Sequence, residues 1–274
     1  MAQPLDQKLL FAEKTISDLD GALVALSGGV DSSLLCALAV RALGPDRVVA
    51  VTALGPVESE EDAESAADVA RLTGAAHRVI HLDPLKIPEF PENTPRRCYV
   101  CRKQLFAALE KIRVDEGFAA ILDGAIADDA QDYRPGSLAA AEAGVKHPLA
   151  DAGLTKDEVR AASRQLGLPT SDKPASPCLA SRFPYGEPIT VDALNMVARA
   201  ESLLHDWGFP IVRVRHHGPI ARIEVPAERI PLLAAEPLRS KVVAALREIG
   251  YAYVSLDLLG FRSGSLNEVL SDRN

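Results

Sequence analysis

The chain has 274 residues, of which 47% are hydrophobic and 25% charged, an ordinary globular composition that excludes an intrinsically disordered chain. Thirty basic against thirty-eight acidic residues give a net charge of −8, so nothing draws the molecule as a whole to nucleic acid or to an anionic membrane. The apolar run at residues 34–40 ends at Arg41 and is too short to span a bilayer. Asp6 and Glu13 in the first segment argue against a secretory signal, so the four cysteines read as reduced thiols in a cytoplasm.

In chain order, the first half alternates short aliphatic runs with amphipathic stretches. Residues 22–26, 48–52, 78–82 and 119–122 predict strands, and residues 31–43, 58–72 and 101–111 predict helices. This alternation implies an α/β fold, a parallel sheet with helices on both faces. In such sheets ligands bind at the carboxyl ends of the strands. Pro184, Gly186 and Pro188 form a breaker cluster, which divides the chain into domains 1–186 and 187–274. In the second, residues 191–207 predict a helix with Ala193, Val197, Ala200, Leu204 and Trp207 on one face. Strands at 211–214 and 221–225, a helix at 237–249 and a strand at 253–256 complete a smaller α/β domain.

The first strand runs into Ser27-Gly-Gly-Val-Asp-Ser-Ser33. Gly28 and Gly29 lack β-carbons, so backbone N–H groups can close around an anion. Asp31, Ser32 and Ser33 then open a helix, whose N-terminus favours negative charge. The hydroxyls of Ser27, Ser32 and Ser33 add donors. No lysine follows the glycines, so this is not the G-x-x-x-x-G-K-S/T loop. An anionic Asp31 beside phosphates makes sense if Mg²⁺ bridges them. The string resembles the PP-loop of the ATP pyrophosphatases, the adenine nucleotide alpha hydrolase-like fold. That resemblance implies cleavage of ATP between its α and β phosphates, and a strand ending at Thr52 that lines the adenine pocket.

The cysteines divide by position. Cys36 sits inside an apolar helix and reads as core. Cys98 and Cys101 form a C-x-x-C at a helix start beside Arg96, Arg97, Arg102 and Lys103, which would favour thiolate. A redox pair, half of a zinc site and part of an iron–sulfur site all remain open for it. The chain has no second C-x-x-C to close a zinc site, and Cys178 is the natural third thiolate. Three thiolates suit a 4Fe–4S cluster with one iron open to an external sulfide.

Further strings resemble the LarE family of PP-loop, ATP-dependent sulfur transferases, which serve nickel-pincer nucleotide biosynthesis. They are Arg97-Cys-Tyr-Val-Cys-Arg-Lys103, Asp128-Asp129 with Arg134-Pro-Gly136, Thr155-Lys-Asp-Glu158, Lys173-Pro-Ala-Ser-Pro-Cys178, Ala180-Ser-Arg-Phe-Pro-Tyr-Gly186 and Arg213-Val-Arg-His-His217. The resemblance implies adenylation of the carboxylates of a pyridinium mononucleotide, followed by thiocarboxylate formation. One branch of the family gives up the sulfur of the cysteine at position 178; a three-cysteine branch uses a 4Fe–4S cluster, and this chain has all three. It also implies a homo-oligomer. Residues 123–129 read Asp-Gly-Ala-Ile-Ala-Asp-Asp where the resemblance implies Gly-Thr-Asn-x-Asp-Asp, so it assigns no role to Ala125 or Ala127.

Roles then follow from chemistry. Arg213, Arg215 and Arg222 suit a phosphate. Ser181 and Arg182 suit the reacting carboxylate, Asp128 and Asp129 suit Mg²⁺, and Glu201 and Glu224 are weaker metal candidates. The competing reading, a tRNA thiolase, is disfavoured by the acidic charge and the lack of a basic, aromatic stripe. A nucleotide-binding redox sensor is the alternative outside enzymes.

Overall fold

The computed structural model describes residues 3–131, 135–262 and 264–267, so Arg134 of the Arg134-Pro-Gly136 string lies outside the described residues. The chain forms two compact units. One takes the residues up to Pro84 together with Cys98–Ser176, the other Leu85–Arg97 together with the residues from Pro177 on.

The first unit begins with α1 (Leu5–Ser17), β1 (Ala22–Ala25), α2 (Val30–Leu43), β2 (Val48–Leu54), α3 (Glu60–Thr73) and β3 (Ala76–His81). It continues with α4 (Arg97–Glu116), β4 (Ala120–Leu122), α5 (Pro135–Glu142), α6 (Pro148–Asp151) and α7 (Lys156–Gln165). The four strands pair in parallel in the order β3-β2-β1-β4, as the strand–helix alternation predicts. Because β1 is flanked by β2 and β4, the order reverses beside it, which opens a crevice at the carboxyl end of β1. The centre of this unit is apolar: Val24, Leu34, Leu35, Leu38, Ala50, Leu122 and Leu149 are fully buried. Cys36 lies among them, 3.7 Å from Thr73 Oγ1, and burial pushes its thiol up to about 11. It is a packing residue.

The second unit contains α8 (Val191–Asp206), β5 (Arg213–His217), β6 (Ile220–Glu224), α9 (Ile230–Ala234), α10 (Leu238–Ile249) and β7 (Tyr253–Leu256). β5 and β6 pair antiparallel and β7 joins β6 in parallel. Ala200 and Leu204 of α8 pack with Val214, Ile223 and Leu246, and Thr190 caps the helix by accepting from the Ala193 amide at 3.2 Å. The breaker cluster read as a linker lies inside this unit. Asn93, fully buried with φ 54°, donates from its side chain to the carbonyls of Phe183, Pro184 and Glu187. Its own carbonyl accepts from Gly186 N at 3.0 Å. A segment distant in sequence thereby ties down the turn-rich stretch.

Two elements differ from their expected bounds in ways that bear on the site. α4 starts at Arg97, four residues before the expected position, so both thiols of the C-x-x-C lie in its first turns. β5 extends to His217 instead of ending at Val214. The expectation stopped at the polar residues 215 and 216, but both are buried in this sheet: Arg215 pairs with Glu224, and His216 stacks near Phe183 and Tyr251.

Candidate active site

The first unit carries the phosphate loop where the sequence predicts it. Leu26 N donates to Val51 O at 2.9 Å and Thr52 Oγ1 to Leu26 O at 2.8 Å, so the strand pairing continues to the edge of the loop. Thr52 is buried, and its hydroxyl also meets His77 Nε2 at 2.9 Å; burial lowers the His77 pKa. Within the loop, Ser32 Oγ lies 3.0 Å from Ser27 Oγ and accepts from Ser27 N at 3.1 Å. Ser32 and Ser33 donate to Gly29 O at 3.2 and 2.7 Å.

Gly28 has φ +75°, and a Cβ on it would lie 2.0 Å from Asp62 O. Only glycine fits there. On the other flank, Gly124 follows β4 so closely that a Cβ would meet Ser32 N at 2.7 Å. The loop is therefore wedged between α3 and the β4 end, with its shape set by backbone contacts.

Asp31, expected to handle Mg²⁺, holds Lys156 Nζ on its two oxygens at 2.8 and 2.6 Å. The sequence alone gives Lys156 no role, although it lies inside the Thr155–Glu158 capping box that positions it. Thr155 accepts from Glu158 N while Glu158 accepts from Thr155 N. Asp128 accepts from Lys156 N at 2.8 Å and Asp129 from Ile126 N at 3.1 Å. The two aspartates thus order the loop and the start of α7. A cation already sits on both oxygens of Asp31, so this carboxylate is placed to hold one, and oxygen donors suit Mg²⁺.

A further polar cluster, absent from the sequence reading, lies at the end of β4. Asp123 is buried and contacts His147 Nδ1 at 2.5 Å and Arg102 at 3.5 Å. Burial opposes charge on Asp123, yet the hydrogen bond from His147 and the charge of Arg102 carry its pKa below the ordinary value. That same bond outweighs partial burial of His147 and raises its pKa. No signal in the local sequence joins positions 102, 123 and 147.

Cys98 and Cys101 are half-buried at the start of α4, and a spacing of three residues puts them on one helix face. Of the cations beside them, Arg102 faces Asp123, and Lys103 lies 5.6 Å from the centre of the Tyr99 ring. None of the four cysteines is in a disulfide. Among the described residues no three His, Cys, Asp or Glu side chains gather as a metal-binding group. Cys98 and Cys101 in the first unit and Cys178 in the second are partly or fully exposed, unlike the buried Cys36, and thiolates are the usual iron–sulfur ligands in kind.

In the second unit Cys178 is exposed and opens a short 3₁₀ turn, Leu179–Arg182. Arg182 is buried and pairs with Glu201 through two bonds of 3.0 and 2.7 Å. Its remaining nitrogen donates to the carbonyls of Pro177 and Cys178 and to Ser181 Oγ. In this arrangement Arg182 shapes the turn that carries Cys178. Arg215 makes a second buried pair with Glu224 at 3.0 and 2.9 Å and donates to Ser181 O at 2.7 Å. Arg222 meets Glu224 at 3.1 Å and Asp257 at 3.5 Å. The two glutamates considered for metal are thus counter-ions to arginines. Arg213 lies over the Phe261 ring at 5.4 Å and donates to Val212 O. Burial, reinforced by Arg182 nearby, lowers its pKa to about 10. Arg182, Arg213 and Arg215 are thus buried guanidiniums of one unit that also buries Glu201 and Glu224, and guanidiniums suit an oxyanion.

A parallel sheet with a lysine-free, glycine-containing anion loop at the reversal of strand order defines a PP-loop nucleotide-binding protein. Residues 8–91 match the family model described as NAD synthase. Over 256 residues the chain is 41% identical to pyridinium-3,5-bisthiocarboxylic acid mononucleotide synthase from Lactiplantibacillus plantarum, covering 93% of this chain and 92% of that protein. It is 42% identical over 267 residues to an uncharacterised protein of Synechocystis sp., covering 97% and 99%. Similarity to the NH(3)-dependent NAD(+) synthetase of Methanoregula boonei, 34% over 103 residues, covers 34% of this chain and 42% of that one. The chain belongs to the LarE family of PP-loop, ATP-dependent sulfur transferases.

Proposed function

We propose that this protein converts the carboxylates of a pyridinium-3,5-dicarboxylate mononucleotide to thiocarboxylates for a nickel-pincer cofactor. A substrate carboxylate oxygen attacks the α phosphorus of ATP, the bond to the β-phosphate oxygen breaks, and pyrophosphate leaves into the loop of Ser27, Gly28, Gly29, Ser32 and Ser33. AMP is then the leaving group when sulfur attacks the acyl carbon. The observation that carries this reading is the loop itself: an anion site built of backbone and hydroxyls, with Asp31 holding a cation at its edge. Asp31, with Asp128 linked to it through Lys156 and Asp129 next in sequence, would hold Mg²⁺, which offsets the charge of the departing pyrophosphate. Thr52 lines the adenine side, and the guanidiniums of Arg213 and Arg215 suit the substrate phosphate by their chemistry. The first unit handles ATP, while the second binds substrate and supports a homo-oligomer. The net charge of −8 fits a small nucleotide substrate better than nucleic acid, in a cytoplasmic setting.

Cys98, Cys101 and Cys178 would hold a 4Fe–4S cluster, whose open iron supplies sulfide when the cluster is bound. The exposed position of Cys178 favours a second route. There its thiolate attacks the acyl-adenylate to form a thioester; loss of the Cα proton and cleavage of the Cβ–S bond then leave dehydroalanine and a thiocarboxylate.

The test is anaerobic reconstitution with iron and sulfide, followed by turnover with ATP, Mg²⁺, sulfide and the dicarboxylate mononucleotide. AMP and pyrophosphate are expected, and ADP with phosphate would overturn the reading. About four irons per chain and a visible charge-transfer band are expected. Cys98→Ala, Cys101→Ala and Cys178→Ala each remove the band, and Cys36→Ala does not. One turnover per chain with dehydroalanine at position 178 selects the sacrificial route.

A further inference from the structure

The segment leading to Cys178 is fastened to the phosphate loop by side chains that the reaction above does not use. Lys173 Nζ reaches Gly28 O at 3.2 Å, Ser65 Oγ at 2.7 Å and Asp62 Oδ1 at 2.7 Å. Ser176, only two residues before Cys178, donates from its hydroxyl to Asp62 Oδ2 at 3.0 Å. Asp62 also accepts from Ser59 Oγ at 2.8 Å, while its amide donates to the same hydroxyl, so its position on α3 is fixed. Its carbonyl occupies the space that a Gly28 side chain would need. From the other side, Arg160 on α7 donates to Ser171 O at 2.8 Å and Lys173 O at 2.9 Å. The Lys173 and Asp62 side chains are only 12% and 19% exposed, so their attraction is less screened than that of a surface pair.

We infer that Asp62 is a positioning residue for sulfur transfer: with Lys173 and Ser176 it clamps the run ahead of Cys178 onto the glycine of the phosphate loop. Two residues span at most about 7 Å, so the backbone of Cys178 can stray little from the clamped Ser176. The acyl-adenylate is made at the loop, and the sulfur-bearing cysteine follows a segment anchored to that same loop. Adenylation needs the loop; transfer needs the loop and the anchor. The inference rests on the sulfur-transfer reading for its consequence, but the clamp is measurable without it.

The test uses the full chain and two variants. Asp62→Asn keeps an oxygen for Ser176 but removes the charge facing Lys173, and Ser176→Ala deletes one exposed hydroxyl, which the fold tolerates. The half-reactions are read separately: pyrophosphate exchange into ATP, driven by the dicarboxylate mononucleotide, and thiocarboxylate formation. Asp62→Asn is expected to lower thiocarboxylate formation at least about tenfold, with exchange held within about twofold; Ser176→Ala shows the same split, smaller. Equal losses in both half-reactions, or unimpaired transfer in both variants, would overturn the assignment. Hydrogen exchange at the amides of Ala175, Ser176 and Cys178 is expected to quicken in both variants, and unchanged exchange would overturn the clamp. Absence of pyrophosphate exchange in the wild type sinks the proposed function, whereas the amide measurement still judges the clamp.

Discussion

The two units reach polar chemistry by opposite means. The first builds its anion site from backbone groups, small hydroxyls and a glycine that no other residue can replace, packed beside an apolar sheet. The second builds its polar centre from long side chains, with Arg182 on Glu201 and Arg215 on Glu224 inside the fold. A backbone site is specified by a short string read in order, since each atom it needs belongs to consecutive residues. A charge-pair site is specified by partners 19 and 9 residues apart, and nothing local tells an arginine which carboxylate it will meet. The contrast also separates roles: the loop presents donors to an anion, whereas the bonds of Arg182 order the turn around Cys178.

The sharpest way to break this contrast is at Gly28. Gly28→Ala forces the added carbon against Asp62 O, and displacement of the loop by about 1 Å is expected to cost about 100-fold in pyrophosphate exchange. Activity near that of the wild type would mean that the backbone does not set the loop's shape. In the second unit, Arg182→Met strips buried Glu201 of its two-bond guanidinium partner, at about 3–5 kcal/mol of stability. The double variant Arg182→Met with Glu201→Leu is expected to recover most of that loss in guanidinium unfolding. Additive losses would show that the pair is not the unit of design.

The smallest effect tests a charge cluster in the first unit, that of buried Asp123 with His147, which resembles those of the second. The Asp123 pKa is lowered and that of His147 raised from ordinary values of 3.8 and 6.5. Asp123 therefore contributes stability above 3.8 that is lost as pH falls through its lowered value, and His147 contributes below 6.5, lost as pH rises through its raised value. The stability gap between the wild type and Asp123→Asn is expected to be full between 3.8 and 6.5 and to narrow on either side. A gap that does not vary with pH would remove the ion pair from the account. Nuclear magnetic resonance titration of His147 in the variant is expected to show its pKa falling toward the ordinary value.

The match between expectation and structure follows the same division. The strands of the parallel sheet were legible because buried strands are short aliphatic runs, and the loop because glycine and serine there have few other uses. Cys36 was legible as core from its apolar neighbours. Lys156, Lys173, Asp62 and His147 were not, since each acquires its role only from a partner on another element: Asp31, Gly28 and Ser176, or Asp123. Arg182 was read as a group for substrate, yet its bonds go to Glu201 and to the turn of Cys178. The breaker cluster at 184–188 was visible, but the segment around Asn93 that holds it is some ninety residues upstream.

By itself, then, the sequence determined the class of sheet, the anion loop and the core place of Cys36, because each is written in contiguous residues with a local physical meaning. Only the tertiary structure decided which charges neutralise one another, that a lysine occupies the cation position of Asp31, and that the run before Cys178 is fastened to Gly28. Those are long-range pairings, and it is the packing of the elements that brings the partners within hydrogen-bonding reach.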